Sequence, residues 1–250
     1  MISNIDNLRN KLINILQYMV EKDVLYGIKI ELAQNIIPTA ALYNLKEIID
    51  SVPLFIKIGG CKAKNDIFCA KKLDAAGISV PMIESPYSLI KFVDSVNNFF
   101  VSKKDVVDLY VNIETYSGFQ NLEKILSVKQ AVDIKGVILC RDDMVGSLGL
   151  DEKFINFEKI FDIAVQMSKI TEKYNKEFCI GGKICPESIG FLQELGNYHL
   201  NKIETRMIIF DAKKLFAYNN VKDFILKAME FEIVWLKYIG TVQSFTSIDL

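Results

Sequence analysis

The chain has 250 residues, half of them hydrophobic, and its 30 Lys and Arg against 31 Asp and Glu leave a formal net charge of −1. That length can bury the core of one α/β barrel or of two smaller domains. The even charge balance, with no basic block or stripe, argues against nucleic acid or an anionic membrane as a partner.

Along the chain, apolar strands alternate with amphipathic helices. Ile5, Leu8, Leu12, Leu16, Met19 and Val20 recur at helical spacing, and Ser3 with Asp6 three residues later resembles a capping box; residues 1–22 read as an N-terminal helix. "YGIKIEL" then reads as a strand, followed by the helix "TAALYNLKEIIDS". Strand "PLFIKIGG" leads into a helix through "KNDIFCAKKLDAAG". Strand "ISVPMIE" precedes the helix "PYSLIKFVDSV", with Pro86 in the first turn, where proline is tolerated. Strand "VVDLYVNIE" precedes "GFQNLEKILSVKQAV". Next come "KGVILC", a loop, and a long helix "KFINFEKIFDIAVQMSKITEKYN". Strand "EFCIGGKI" precedes a helix from Pro186-Glu187, and strand "KIETRMIIF" precedes a last helix at 220–240. An eighth strand is expected near Phe99–Val101.

This alternation implies βαβ units and a parallel sheet. So many units in one chain fit a (β/α)8 TIM barrel spanning 1–250 better than an open sheet. No GxGxxG or GxxxxGK[ST] signature occurs, which removes dinucleotide and P-loop readings. The five cysteines are odd in number and hold no CxxC pair; they read as small buried hydrophobes rather than as disulfides or a structural zinc site. The N-terminus "MISNIDNLRNKL" carries charges where a signal peptide needs an apolar centre, and no apolar run approaches the ~20 residues of a membrane span. The expected compartment is the cytoplasm.

In a parallel barrel the C-terminal strand ends share one face, and active sites lie there. Those ends carry Glu31, Lys57-Ile58-Gly59-Gly60, Glu84, Glu114, Arg141-Asp142-Asp143, Gly181-Gly182-Lys183 and Glu204-Thr205-Arg206. Acids gathered at the rim of an apolar barrel need a partner or a cation. Glu114 and Asp143 fall on neighbouring strands and form the leading pair for Mg2+ or Mn2+, hard ions that take oxygen ligands. The alternative, that these acids cap helices or pair with Lys57 and Arg141, stays open on spacing alone. Lys57 itself has three readings: a carboxylate binder, a Schiff-base lysine, or an ion-pair partner of Glu31 or Glu84. Gly59 and Gly60 are either an approach for ligand or a plain turn. Arg206 is expected to point inward, low in the barrel, to meet Glu204 or Glu31, or else to bind substrate. Arg141 is expected to reach substrate or a neighbouring subunit, and Asp142 to stay outside the ligand set.

Two stretches carry a resemblance. "VNIETYSGFQNLEKIL" followed by "GVILCRDDMVGSLGL" resembles the 2-keto-acid aldolase and citrate lyase β-subunit family, with support from "VPMIES" and "FIKIGG" upstream. The likeness runs over roughly residues 24 to 210. It implies a (β/α)8 barrel that binds a divalent ion through Glu114 and Asp143. It also implies that the ion polarises a 2-keto acid such as pyruvate, so that an enolate is made or consumed as a C–C bond breaks or forms. Lys57 falls where the family carries an arginine for the substrate carboxylate, and it lacks that residue's bidentate fork. "KIELAQN" lacks the catalytic histidine of the aldolase branch. The sole histidine, His199, sits in "GNYHLNK", outside the motifs.

The expected activity is therefore a metal-dependent carbon–carbon lyase or aldolase acting on a 2-keto acid with an aldehyde or acyl co-substrate. Glu31 and Lys57 are the catalytic candidates. Lys57, Gly59, Gly60, Glu84, Arg141 and Arg206 are the substrate-binding candidates. The rivals are a condensing enzyme of the same fold and a non-catalytic accessory subunit. A last helix apolar on several faces suggests a homo-oligomer.

Overall fold

The computed structural model describes residues 2–32, 37, 39–101 and 106–246, and the side chains of all these except 2–4, 39 and 242–246. Residues 33–35, the end of the histidine-free "KIELAQN", lie outside that set, as does the side chain of the expected cap Ser3. Helix α1 (Ile2–Glu21) leads into a closed barrel of β1 (Leu25–Glu31), β2 (Leu54–Lys57), β3 (Gly77–Val80), β4 (Asp108–Asn112), β5 (Ile134–Cys140), β6 (Glu177–Gly181), β7 (Lys202–Glu204) and β8 (Ile208–Asp211). Between and after the strands run α2 (Thr39–Ile49), α3 (Lys64–Lys72), α4 (Pro86–Asn97), α5 (Tyr116–Leu126), α6 (Arg141–Ser147), α7 (Glu158–Lys173), α8 (Ile189–Leu195), α9 (Ala212–Phe216) and α10 (Val221–Thr246).

β1 through β7 pair in parallel, but β8 is antiparallel to both β7 and β1. This corrects two expectations. Phe99–Val101 forms no strand, and "KIETRMIIF" is not one strand but a hairpin that supplies the last two. Thr205 makes the reversal. Its hydroxyl accepts from Ile208 N at 3.0 Å, and its backbone N–H donates to Ile208 O at 2.9 Å. A serine/threonine turn of this kind needs neither Gly nor Pro. Because β8 runs back toward the N-terminal face, α10 starts there and climbs the barrel wall against α1. Its buried side holds Val221, Phe224, Ile225, Ala228, Phe231, Val234 and Trp235, while Leu226, Met229, Ile233 and Leu236 are exposed.

The core has two shells. Most apolar residues pack between helices and strands, and a separate inner cluster of Phe55, Tyr110, Ile138, Cys179 and Ile209 fills the barrel. The Phe55 ring lies over Gly27 and Gly77 on the flanking strands; a Cβ at Gly77 would stand 2.3 Å from it. Nearer the N-terminal face the buried Lys202 donates to Tyr110 Oη at 2.8 Å, pairs with Glu177, and sits 4.0 Å over the Tyr26 ring. That end of a barrel serves stability, and the network leaves the opposite end for chemistry. No helix among the described residues is long and apolar enough to cross a membrane.

Candidate active site

At the C-terminal face a cavity of about 460 Å³ is lined by residues from several strand ends, among them Glu31, Lys57, Cys140, Asp142, Asp143, Lys183, Thr205 and Arg206. A smaller cavity of about 250 Å³ adjoins it. The two share Lys29, Glu31, Arg206 and Glu232, and the smaller one adds an apolar wall that includes Met207, Trp235, Leu236 and Ile239.

Glu114 sits behind this lining, 1% exposed. Its Oε1 accepts from Met82 N at 3.0 Å and its Oε2 from Asn112 Nδ2 at 3.0 Å. Asn112 lies two residues back on the same face of the chain, as the strand period dictates. Met82 delivers its N–H from a left-handed backbone conformation, φ 56°, which is costly for a side chain of this kind and is found where surrounding structure enforces it. Lys57 Nζ stands 3.3 Å from Glu31 Oε1 and 3.7 Å from Glu114 Oε2. Burial pulls the Lys57 ammonium toward neutrality, but Glu114 and Glu31 outweigh it and hold the amine above the ordinary lysine range. At Glu114 the balance reverses. Burial raises the carboxyl, and Lys57 and Asn112 offset this only in part, while Asp143 adds to the rise. Pairing thus dominates at the lysine and burial at the acid, whose negative charge is under-compensated.

Ligand atoms of Glu114, Cys140 and Asp143 all lie within 4.8 Å of one another. A divalent ion holds oxygen or sulfur at roughly 2.0–2.4 Å, so donors on one ion are at most about 4.8 Å apart. The residues present fit a cation. Asn112 Oδ1, buried beside Glu114 with no hydrogen-bond partner, adds an acceptor that a water could satisfy. Cys140 ends β5; in the sequence it reads only as a small hydrophobe. Its thiol donates to Asp142 Oδ1 at 2.9 Å. Burial pushes that thiol up, and the nearby carboxylates of Asp142, Asp143 and Glu114 push it further.

Other expected site residues are placed differently. Arg141 is 0% exposed and turns away from the cavity. It donates to Gly181 O at 3.3 Å, Gly182 O at 2.8 Å, Asn156 Oδ1 at 2.6 Å and Ser188 Oγ at 3.1 Å, and lies 5.0 Å over the Phe191 ring. It pins α6 to the end of β6, so the expectation that it reaches substrate is not met. Gly182 makes the approach feasible. Its φ is +84°, and a Cβ there would stand 2.5 Å from Arg141 N. Arg206 is not low in the barrel. It stands on the β7–β8 turn, half-exposed, and meets Glu232 of α10 at 3.2 Å; Glu204 pairs with Lys29 instead, at 2.6 Å. Glu84 is exposed and outside the cavity lining, where it accepts from Thr115 Oγ1. Gly59 donates its N–H to Asp66 at 2.8 Å, and a Cβ at Gly60 would meet nothing within 4 Å; neither glycine lines the cavity. Lys183 pairs with Glu152 at 2.5 Å, and His199 Nε2 meets Lys176 O at 2.8 Å, away from the site.

No family model matches the chain, and no curated protein matches it in sequence. Solved structures match in fold. An HpcH/HpaI aldolase from Desulfitobacterium hafniense DCB-2 superposes with a TM-score of 0.60 at 12% identity, over 77% of this chain and 81% of that one. An HpcH/HpaI aldolase/citrate lyase family protein from Burkholderia cenocepacia J2315 gives 0.59 at 12%, covering 92% and 96%. The chain has the fold of these aldolase barrels. They belong to the family that the Glu114 and Asp143 stretches resemble. RipC from Yersinia pestis is also similar, with a TM-score of 0.52 at 14% identity, over 83% and 87%.

Proposed function

We propose that this protein is a cytoplasmic, divalent-metal-dependent carbon–carbon lyase or aldolase acting through the enolate of pyruvate or a related 2-keto acid. The observation that carries this is the convergence of Glu114, Cys140 and Asp143 donor atoms within 4.8 Å at the C-terminal barrel face, beside Lys57. When bound, a cation such as Mg2+ or Mn2+ would supply Lewis-acid charge against the keto acid's oxygens. Glu114 and Asp143 would hold it. Lys57, kept charged by Glu31 and Glu114, is the group to hold the substrate carboxylate; the same charge makes it a poor Schiff-base nucleophile. Glu31 lines both cavities, and we assign to it the proton transfer at the reacting carbon. The aldehyde or acyl co-substrate is assigned to the smaller cavity, whose Trp235, Leu236 and Ile239 suit a carbon chain. The exposed Leu226 and Ile233 stand one above the other on α10 outside both cavities, and we assign that face to contact between subunits of a homo-oligomer.

Incubation with a 2-keto acid and an aldehyde, in EDTA and then with added divalent ion, tests this reading. Turnover should vanish and return; turnover indifferent to EDTA would end the metal assignment. A second reading, a non-catalytic binding subunit, draws on the Lys57–Glu114 contact, in which an ammonium already supplies positive charge. It forecasts no divalent-ion binding at all.

A further inference from the structure

We infer that Cys140 is itself a ligand of the cation centre, making it a mixed carboxylate–thiolate site that takes Zn2+ or Co2+ in preference to Mg2+. This rests on the proposed reading that Glu114 and Asp143 bind a divalent ion. The geometry is what points to sulfur. Cys140 pairs with Gly181 across β5 and β6, and its Sγ is one of the three donor atoms that fit around one ion. Its thiol lines the larger cavity rather than the apolar core. Mg2+ demands near-octahedral oxygen ligands, whereas Zn2+ and Co2+ accept thiolate with carboxylate. A serine or alanine here would leave an oxygen-type site; a cysteine spends one of the available positions on a soft donor.

Asp142 completes the arrangement as a positioning residue. Its Oδ1 already accepts the S–H hydrogen at 2.9 Å, and Gly182 at φ +84° lets the chain pass close to Asp142. On coordination the S–H bond breaks heterolytically. Both electrons stay on sulfur and form the bond to the ion, and the proton passes to Asp142 and then to water. No oxidant or reductant is required, and one proton is released per ion bound.

The test uses the full-length wild type, Cys140→Ser and Glu114→Gln. Co2+ is titrated with absorption followed in the near-ultraviolet, where thiolate-to-cobalt charge transfer appears. Zn2+ and Mg2+ are titrated by calorimetry in buffers of different ionisation enthalpy, which counts the proton. The wild type should show the band, release the proton, and bind Zn2+ more tightly than Mg2+. Cys140→Ser should lose the band and at least roughly tenfold in Zn2+ affinity, with Mg2+ affinity nearly unchanged. Co2+ binding without the band, or Zn2+ affinity unchanged in Cys140→Ser, would overturn the inference; Glu114→Gln losing all ions would still uphold the parent reading. A wild type that binds no divalent ion defeats both. If Cys140→Ser fails to fold, Cys140→Ala takes its place and is read the same way, and a band that persists in it, as from Cys185 in the same cavity, overturns the inference.

Discussion

Replacing Arg141 by methionine separates a structural arginine from a substrate-binding one. Methionine keeps much of the aliphatic volume, so the cavity left behind is small. The loss falls on the acceptors Gly181 O, Gly182 O, Asn156 Oδ1 and Ser188 Oγ. Each buried acceptor left without its donor costs roughly 1–3 kcal/mol, and the lost Phe191 contact adds about 1 kcal/mol. Against this, no carboxylate pairs with the guanidinium among the described residues, and burial drags its pKa down to about 10. Removing it relieves several kcal/mol of desolvation. The net expectation is a loss of about 3–5 kcal/mol, seen as a fall of roughly 6–20 °C in melting temperature for a chain of this size. Thermal and urea unfolding monitored by circular dichroism measure it. A variant that melts like the wild type but shows a raised KM for a 2-keto acid would rule out the structural role and return Arg141 to the substrate.

Glu114→Gln and Asp143→Asn should each abolish Mn2+ binding in calorimetry. Because burial raises the Glu114 carboxyl, its protonated form favours the fold, a contribution present at low pH and lost as pH rises through the raised folded value. Glu114→Gln should therefore cost little stability near pH 7, and wild-type Mn2+ affinity should start to fall on acidification above the ordinary glutamate range of ~4.3. Unchanged affinity in either variant excludes that residue as a ligand. Borohydride added with pyruvate should leave the protein mass unaltered. Lys57→Arg should keep part of the activity and Lys57→Met should lose substrate binding; a mass increase mapped to Lys57 would establish Schiff-base chemistry instead. Light scattering should report an oligomer at micromolar concentration and a smaller species for Ile233→Glu, whereas a monomeric wild type removes the α10 interface.

Strand-end logic makes much of the candidate site legible in the sequence. Glu31, Lys57 and Glu114 each end an apolar strand stretch and Asp143 stands three residues past the end of another, and parallel closure brings such ends to one face. Asn112 could have been found the same way, two positions before Glu114. Other features depend on partners distant in sequence. Arg141 reads as a rim cation, yet its acceptors Gly181, Gly182 and Ser188 lie forty or more residues on and are mostly carbonyls, which leave no mark in sequence. "KIETRMIIF" reads as one strand because its turn is made by a threonine side chain rather than by Gly, Pro or Asn. The direction of α10, and so the meeting of Arg206 with Glu232, depends on that turn. Cys140 reads as apolar because the residues before it in sequence are; only closure of the barrel sets it against Glu114 and Asp143.

As proposed, a divalent ion held by Glu114 and Asp143 would let this barrel make the enolate of a 2-keto acid. Exchange of the C3 hydrogens of pyruvate for deuterium in D2O, read by mass spectrometry, tests it without knowledge of the co-substrate. Exchange above the buffer rate is expected with added Zn2+, Co2+, Mn2+ or Mg2+, suppressed by EDTA and absent in Asp143→Asn. No exchange of pyruvate or of a longer 2-keto acid with any of these ions, or exchange that survives chelation, would contradict it.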